Sequence, residues 1–340
     1  MAIVVTGGAG FIGRQLVERL CQESLGTATE PVVVLDNLRR GSREALAPLI
    51  ADGRVLFIEG DVRDTDVVRR AVSGAETIFH LAAQANVMGS EGNPDYAFTT
   101  NVTGTYNMLE AAQDAGVRRI VFASSREVYG QPSLLPVPED APFAPKNTYG
   151  ATKAAGEMAC RAASTHGLEV VALRLANVYG PGDTGRVIPL WLGCAARGED
   201  LPLYGGDQVL DLVWVGDVVE AMIRAAQTPR QRFAARKWLG ADDARGFFVA
   251  LNIGTGEGTP ITSLAERIRQ FAARNIRVQL LPPRAVEVER YVADITRART
   301  ALGFQPESPL AHLPQLVRAA FCGGDASCDA ALSTELASPD

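Results

Sequence analysis

The sequence has only three histidines in 340 residues, and none lies beside a cysteine or carboxylate cluster. Neither a structural nor a catalytic metal is therefore expected. Its five cysteines, Cys21, Cys160, Cys194, Cys322 and Cys328, are scattered, odd in number and without metal-ligand spacing, and they read as thiols in a reducing cytoplasm. There is no excess of positive charge: a formal net charge of −6 gives no electrostatic footing for nucleic acid or an anionic membrane. No apolar run is long enough to span a bilayer, and no basic leader precedes MAIVVTGGAG, so no membrane partner and no targeting segment are expected. There is no internal repeat. The 47% hydrophobic content is that of a globular protein, and the length suffices to bury a substantial core.

Short β-branched runs alternate with helical patterns through the first half. Ile3–Thr6, Val32–Asp36, Val55–Ile58, Thr77–Leu81, Ile120–Ser124 and Val170–Arg174 read as strands, most of them continuously apolar. Strands of a parallel sheet covered on both faces should look like this. Between them Phe11–Cys21, Asp64–Val72, Thr99–Ala115 and Tyr149–His166 have helical spacing. The alternation predicts an α/β fold, a doubly wound, mostly parallel Rossmann sheet. After Gly180-Pro181-Gly182 the pattern changes to helices and short strands among Pro/Gly loops, with Phe248–Asn252 as one further strand of the main sheet. The expected division is a dinucleotide-binding domain over 1–180 and about 210–254, with a smaller, discontinuous C-terminal substrate lobe over about 181–209 and 255–320. Arg230–Gly246 reads as a surface excursion, and 322–340 as a disordered tail.

The first strand runs into Thr6-Gly7-Gly8-Ala9-Gly10-Phe11-Ile12-Gly13, a glycine-rich turn that opens a helix. Gly7, Gly10 and Gly13 have separate tasks: a tight turn, close approach of backbone to a pyrophosphate, and close helix–strand packing. The first-turn N–H groups and the positive helix end then face the phosphates. Asp36 ends the second strand, 23 residues after Gly13. A carboxylate there would accept from both adenosine ribose hydroxyls and repel a 2′-phosphate, which favours NAD over NADP. Arg39 and Arg40 are the counter-signal, either holding such a phosphate or standing as solvated loop charges. Asp61 is a candidate partner for the adenine amino group or a loop cap. Phe11, Ile12, Asn37, Val62, Leu81, Ala82 and Ala83 complete the expected cofactor wall.

Two further stretches carry chemistry. Ser124-Ser125-Arg126-Glu127-Val128-Tyr129-Gly130 follows the fifth strand, and Tyr149-Gly150-Ala151-Thr152-Lys153 opens a helix. Tyr149 and Lys153, four apart, share a helix face. A tyrosine with a free pKa of about 10 is a poor base at neutral pH. A nearby ammonium and a nicotinamide cation would both favour phenolate. Lys153 can also hold the nicotinamide ribose, so that both residues border the cofactor. Ser125 would donate to the substrate hydroxyl that loses its proton to Tyr149, while hydride from the same carbon passes to NAD.

These motifs, with His80-Leu81-Ala82-Ala83, Asn101-Val102-Thr103-Gly104-Thr105 and Asn177-Val178-Tyr179-Gly180-Pro181, closely resemble the extended short-chain dehydrogenase/reductases. That group contains the NAD-dependent nucleotide-sugar epimerases and dehydratases. The resemblance covers residues 2 to about 320 and weakens through 183–250. It implies tightly held NAD, reduced and reoxidised within one turnover through a 4-keto sugar. It also implies a homodimer pairing the helices near 99–115 and 149–166.

Within that group, the residues after the serine help choose the reaction. Simple 4-epimerases resemble Ser-x-x-Val-Tyr-Gly; 4,6-dehydratases carry Thr-Asp-Glu, and UDP-glucuronate decarboxylases resemble Thr-Ser-Glu. Here the run is Ser125-Arg126-Glu127. Glu127 thus matches enzymes acting at C5 or C6, as a candidate catalytic group. Arg126 replaces the acid with a residue that has no proton to give at neutral pH. It could bind a sugar carboxylate through its forked geometry, or point away and cap a loop. Gly185-Arg186-Val187 is similar to a decarboxylase stretch, whereas Asn147–Lys153 is of epimerase type. In the substrate lobe, Leu210 stands where family members often carry a diphosphate-binding arginine. Arg284 matches a second phosphate-contacting position, Arg186 could supply the missing charge, and Asn177 resembles the side chain that holds diphosphate or sugar; each arginine could also be a solvated surface charge. The resulting expectation is a nucleotide-sugar 4-epimerase, with a dehydratase or decarboxylase as the alternative. A reductase that releases its cofactor each turnover, or a non-catalytic reader of NAD redox state, are the competing classes.

Overall fold

The computed structural model describes residues 2–23, 30–234, 246–271 and 276–322. In chain order its strands are β1 (Ala2–Thr6), β2 (Val32–Asp36), β3 (Val55–Glu59), β4 (Ala75–His80), β5 (Arg119–Ser125), β6 (Glu169–Leu175), β7 (Asn177–Tyr179), β8 (Leu201–Tyr204), β9 (Val209–Leu210), β10 (Leu212–Trp214), β11 (Phe247–Ile253), β12 (Thr259–Pro260) and β13 (Val278–Leu281). The α-helices are α1 (Phe11–Glu23), α2 (Ala47–Ala51), α3 (Thr65–Val72), α4 (Val87–Gly92), α5 (Pro94–Phe98), α6 (Gly104–Asp114), α7 (Thr148–Ser164), α8 (Val187–Arg197), α9 (Val215–Gln227), α10 (Arg230–Ala234), α11 (Ile261–Gln270), α12 (Thr296–Leu302) and α13 (Leu313–Cys322).

Seven strands form one parallel sheet in the order β11-β6-β5-β4-β1-β2-β3. Every residue of β5 and β11 is buried, as the continuously apolar runs require of strands covered on both faces. Strand order reverses between β1 and β4, where Thr6 pairs with Leu35 on one side and His80 on the other. Helices diverge at such a point and leave a crevice at the carboxyl ends of the strands. His80 is a structural residue in that crevice floor: its ring bonds Thr6 Oγ1 at 2.7 Å and Thr105 Oγ1 at 3.0 Å. Burial drives its pKa down to about 3, so it is neutral.

The core has three parts. Leu16, Val34, Val121, Leu173, Met222 and Val249 belong to one cluster, and Val4, Ile78, Met108, Ile120, Cys160 and Val170 to another on the opposite face. A third, with Ile188, Trp191, Leu203, Leu264, Ile276 and Val317, is built from α8, α11, α13 and the pairs β8–β13 and β9–β12. Asp211, fully buried, stitches this third body to the sheet. Its two oxygens accept from Thr255 N (2.7 Å), Thr255 Oγ1 (2.8 Å), Gly256 N (3.1 Å) and Ala293 N (3.0 Å).

One helix departs from the expected Thr99–Ala115. Helical structure begins at Pro94, widens to a π turn over Thr99–Thr103, and continues as α6. The wide turn has an identifiable use, as such turns often do. It brings the Asn101 side chain to Gln84 N at 2.7 Å and to Thr152 Oγ1 at 2.9 Å. The tail 323–340 and residues 235–245 of the expected excursion lie outside the described residues. Among the described residues no helix is long and apolar enough to cross a membrane, and no group of side chains could hold a metal ion.

Replacing Asp211 by alanine leaves two buried N–H groups, a partly buried one and a hydroxyl without their acceptor. Each such group costs about 1–3 kcal/mol, so a loss of roughly 3 kcal/mol or more is expected in urea unfolding. A variant within 1 kcal/mol or so of wild type would remove Asp211 from its stitching role.

Candidate active site

A groove of about 480 Å³ runs from the glycine-rich turn, past the ends of β4 and β5, into the smaller lobe. Its floor at the turn is bare backbone for a steric reason. Gly7 has φ +70°, and a Cβ there would lie 2.8 Å from Ala82 N; a Cβ on Gly13 would collide with the Gly7 carbonyl. Phe11, Ile12, Asn37, Val62, Leu81 and Ala83 line the groove with Gly7, Gly10, Gly13, Asp36 and Ala82. Asp36 is held from behind: its oxygens accept from Ala9 N at 3.0 Å and Leu38 N at 2.8 Å. Burial raises its pKa against those two bonds. Each oxygen keeps a lone pair for a hydroxyl donor. The cradle therefore fits a dinucleotide with free ribose hydroxyls.

Asp61 is differently placed. It does not line the groove but is gripped by Arg63, at 2.9 and 2.8 Å, and by Asn37 at 2.8 Å. Burial opposes its charge, yet those bonds bring its pKa down to about 2. Arg39 turns away from Asp36 and stacks on Tyr96, 3.9 Å from the ring centroid.

Ser125, Tyr149 and Lys153 meet in the groove, Ser125 from the end of β5 and the other two from the first two turns of α7. Asn147 caps that helix, accepting from Gly150 N at 2.8 Å, and Glu91 accepts from Thr148 N at 2.7 Å. Strand and helix are locked by a buried ion pair. Glu157 of α7 takes Arg174 of β6 through both oxygens (2.8–3.2 Å) and also bonds Ser124. Arg174 spends its other nitrogen on Tyr129 Oη and Glu139 O, both at 2.8 Å.

Lys153 Nζ donates to Ala123 O at 2.8 Å and stands 6.0 Å from the Tyr149 ring centroid. Burial lowers its pKa to about 8, against the pull of Cys160 and Glu157. For Tyr149, burial pushes the phenol up to about 12; the strongest opposing charge is Arg186, followed by a hydrogen bond from Ser125. The guanidinium of the lobe, rather than the ammonium on the same helix, is the principal cation acting on the phenol.

The expected substrate-side residues reach the groove, and Arg126, Arg186 and Arg284 each have a carboxylate beside them. Arg126 Nη2 pairs with Glu127 Oε1 at 2.9 Å, and Asn147 Nδ2 donates to the other oxygen at 2.8 Å. Arg186 pairs with the buried Asp183 at 3.1 Å, and Arg284 with Glu287 at 3.0 Å while stacking on Tyr204 at 3.6 Å. Asn177 donates to Asp211 O at 3.3 Å, and Leu210 forms an apolar stretch of wall with Trp191, Leu203, Leu212 and Ile261. The sequence reading missed Asn147 as a group holding Glu127, although an Asn directly before a helix is a recognisable cap. It also missed Tyr204 and Gln84, which carry no such local signal.

The family model of the NAD dependent epimerase/dehydratase family matches residues 3–238. A UDP-glucose 4-epimerase of Mycolicibacterium smegmatis is 36% identical over 323 residues, spanning 92% of this chain and 96% of its own. Among solved structures, the UDP-glucose 4-epimerase of Thermotoga maritima with UDP-glucose superposes with a TM-score of 0.80 at 32% identity, over 91% of this chain and 95% of that one. DesIV, a dTDP-glucose 4,6-dehydratase of Streptomyces venezuelae with NAD bound, gives 0.83 at 32% identity, over 95% and 98%.

Lys153 supplies a pH test. Its folded pKa of about 8 lies below the ordinary 10.5, so between those values the folded chain binds fewer protons than the unfolded one. Stability therefore rises with pH across that window. Urea unfolding at about pH 7 and about pH 10 should show wild type gaining on Lys153→Met. A constant difference would mean the ammonium is not desolvated.

Proposed function

The chain belongs to the NAD-dependent epimerase/dehydratase family, and we propose that within it this protein is a nucleotide-sugar 4-epimerase working through a transient 4-keto sugar. The observation that carries this reading is the pairing at Arg126 and Glu127. Water elimination needs an acid to protonate a leaving hydroxyl and a base to take the C5 proton. Arg126 has no proton to give, so the acid that elimination requires is missing at this position, and its guanidinium is committed to Glu127 instead. What is left is Ser125, Tyr149 and Lys153, which suffice for oxidation and reduction at one carbon.

Bound NAD supplies the hydride acceptor and donor for that carbon. Tyr149 takes the proton of the C4 hydroxyl and returns it, with Ser125 holding the oxygen in line. Arg186 opposes the burial that keeps the phenol protonated. Lys153, whose ammonium donates to Ala123 O, is the proposed partner of the nicotinamide ribose. The 181–209 and 255–320 lobe is the proposed substrate-binding part, with Arg284, Arg186 and Asn177 reaching toward the diphosphate or sugar, and Arg126 toward the sugar. Leu210 and its neighbours make that wall less polar, which favours a deoxy or modified sugar.

The second reading is a dehydratase or decarboxylase using Glu127, favoured by the position of Glu127 in the groove wall. One experiment separates the two. The protein is incubated with UDP-, dTDP-, GDP- and CDP-sugars, including UDP-glucuronate, and products are followed by mass spectrometry and sugar NMR. An unchanged mass with a new sugar spectrum is expected. Tyr149→Phe should abolish turnover while NAD stays bound, and Glu127→Gln should cost a few fold at most. Loss of water or carbon dioxide, with collapse of Glu127→Gln, would overturn the epimerase reading; stoichiometric NADH accumulation would instead point to an ordinary reductase.

The proposed assembly is a homodimer through α6 and α7. Tyr106 on α6 is 54% exposed and Met158 on α7 is 62% exposed, and apolar surface of this kind on adjoining helices suits a second copy. Cys21, Cys160 and Cys194 are free and buried, which supports a reducing cytoplasmic setting. Light scattering should give twice the chain mass, falling to one in Tyr106→Glu/Met158→Glu; a monomeric wild type would sink the dimer.

A further inference from the structure

The groove's phosphate-binding section is enclosed by a ring of contacts. On one side, residues 41 and 42 lie directly on the glycine-rich turn: Ser42 N donates to Ala9 O at 3.3 Å, and a Cβ on Gly41 would sit 2.8 Å from the Ala9 backbone. On the other, Gln15 Nε2 donates to Pro181 O at 3.0 Å, and Arg14 lies 3.6 Å from where a Cβ on Gly182 would be. Those contacts tie the 180–186 loop of the lobe to α1. Arg40 closes the ring. Its guanidinium reaches across the mouth to within 2.7 Å of a Cβ built on Gly185, a position at which a larger residue would block it.

The direction of this side chain separates it from its neighbours. Arg39 leaves the same loop in another direction and lies on Tyr96. Arg126, Arg186 and Arg284 each lean on a carboxylate. Arg40 pairs with no carboxylate among the described residues. The first-turn N–H groups of α1 face the inside of the ring, where they favour the pyrophosphate of a dinucleotide. A guanidinium on the open side of that position meets the same phosphates from outside.

We propose that Arg40 is the latch of the cofactor groove: it ligates the dinucleotide pyrophosphate from the open side and, by spanning to Gly185, closes the ring through which the cofactor must leave. Of the ring's links, it is the one made by an exposed, flexible side chain, and so the one that opens first. This assigns Arg40 to the phosphate bridge and not to a 2′-phosphate.

The test needs no sugar and is independent of the epimerase reading. NADH is loaded onto cofactor-stripped protein, and its dissociation is followed by fluorescence in wild type, Arg40→Ala, Arg40→Lys and Gly185→Ala, with melting curves to verify folding. Dissociation is expected to quicken about tenfold in Arg40→Ala, the scale of one charge-assisted hydrogen bond. Arg40→Lys should restore part of the retention, and Gly185→Ala should quicken release with the charge still present. Added salt should speed release from wild type more than from Arg40→Ala. An Arg40→Ala protein with the wild-type off-rate overturns the latch. So does one that loses NADPH alone, which would place Arg40 at the ribose.

Discussion

An ion pair removed from water, Glu157 with Arg174, sets the relation between the strand that carries Ser125 and the helix that carries Tyr149 and Lys153. Ser125 ends β5, while Tyr149 and Lys153 stand on α7; Glu157, one turn further along α7 than Lys153, is bonded to Ser124 and to Arg174 of β6. Two charges this deep are tolerated only when their hydrogen-bonding capacity is filled. That condition is met by Tyr129 and the Glu139 carbonyl on the arginine, and by Ser124 on the carboxylate. Removing either charged partner leaves the other buried and uncompensated, and removing a neutral one leaves a buried lone pair or N–H unfilled. The network therefore holds strand and helix in one register, and the short list of residues able to satisfy it leaves little room for drift at Ser125.

A second pattern concerns the arginines of the groove. Three of them, Arg126, Arg186 and Arg284, have a carboxylate one or three residues away in sequence. Such short loops fix the guanidinium before any ligand arrives, which reduces the side-chain entropy a ligand must overcome. They also reduce net positive charge, so an anionic sugar nucleotide meets shaped donors more than a diffuse field. Arg186 shows what this achieves: held by Asp183, with Phe11 beneath it at 5.5 Å, it bears on the Tyr149 phenol from the lobe side.

Much of this was legible along the chain. The glycine spacing, the acid at the end of β2 and the Tyr-x-x-x-Lys pair are local patterns, and the structure places all of them in one groove. The strands were readable because parallel, doubly covered strands are uniformly apolar. The π turn at Thr99–Thr103 was not, since it exists to carry Asn101 to Gln84 and Thr152, which are distant in sequence. The short elements of the lobe were equally opaque: β9 and β12 have two residues each and are defined only by pairing with one another.

By itself, the sequence determined the sheet, the cofactor cradle and the identity of the central side chains, because periodicity, turn geometry and helix-face spacing act over a few residues. Tertiary structure alone decided which charge each of those side chains meets. It turned Lys153 to Ala123, brought Arg186 to bear on Tyr149, set Arg126 and Asn147 on Glu127, and sent Arg40 across to Gly185. The direction of a long side chain is fixed by whatever packs against it, and those partners come from loops far apart in the chain.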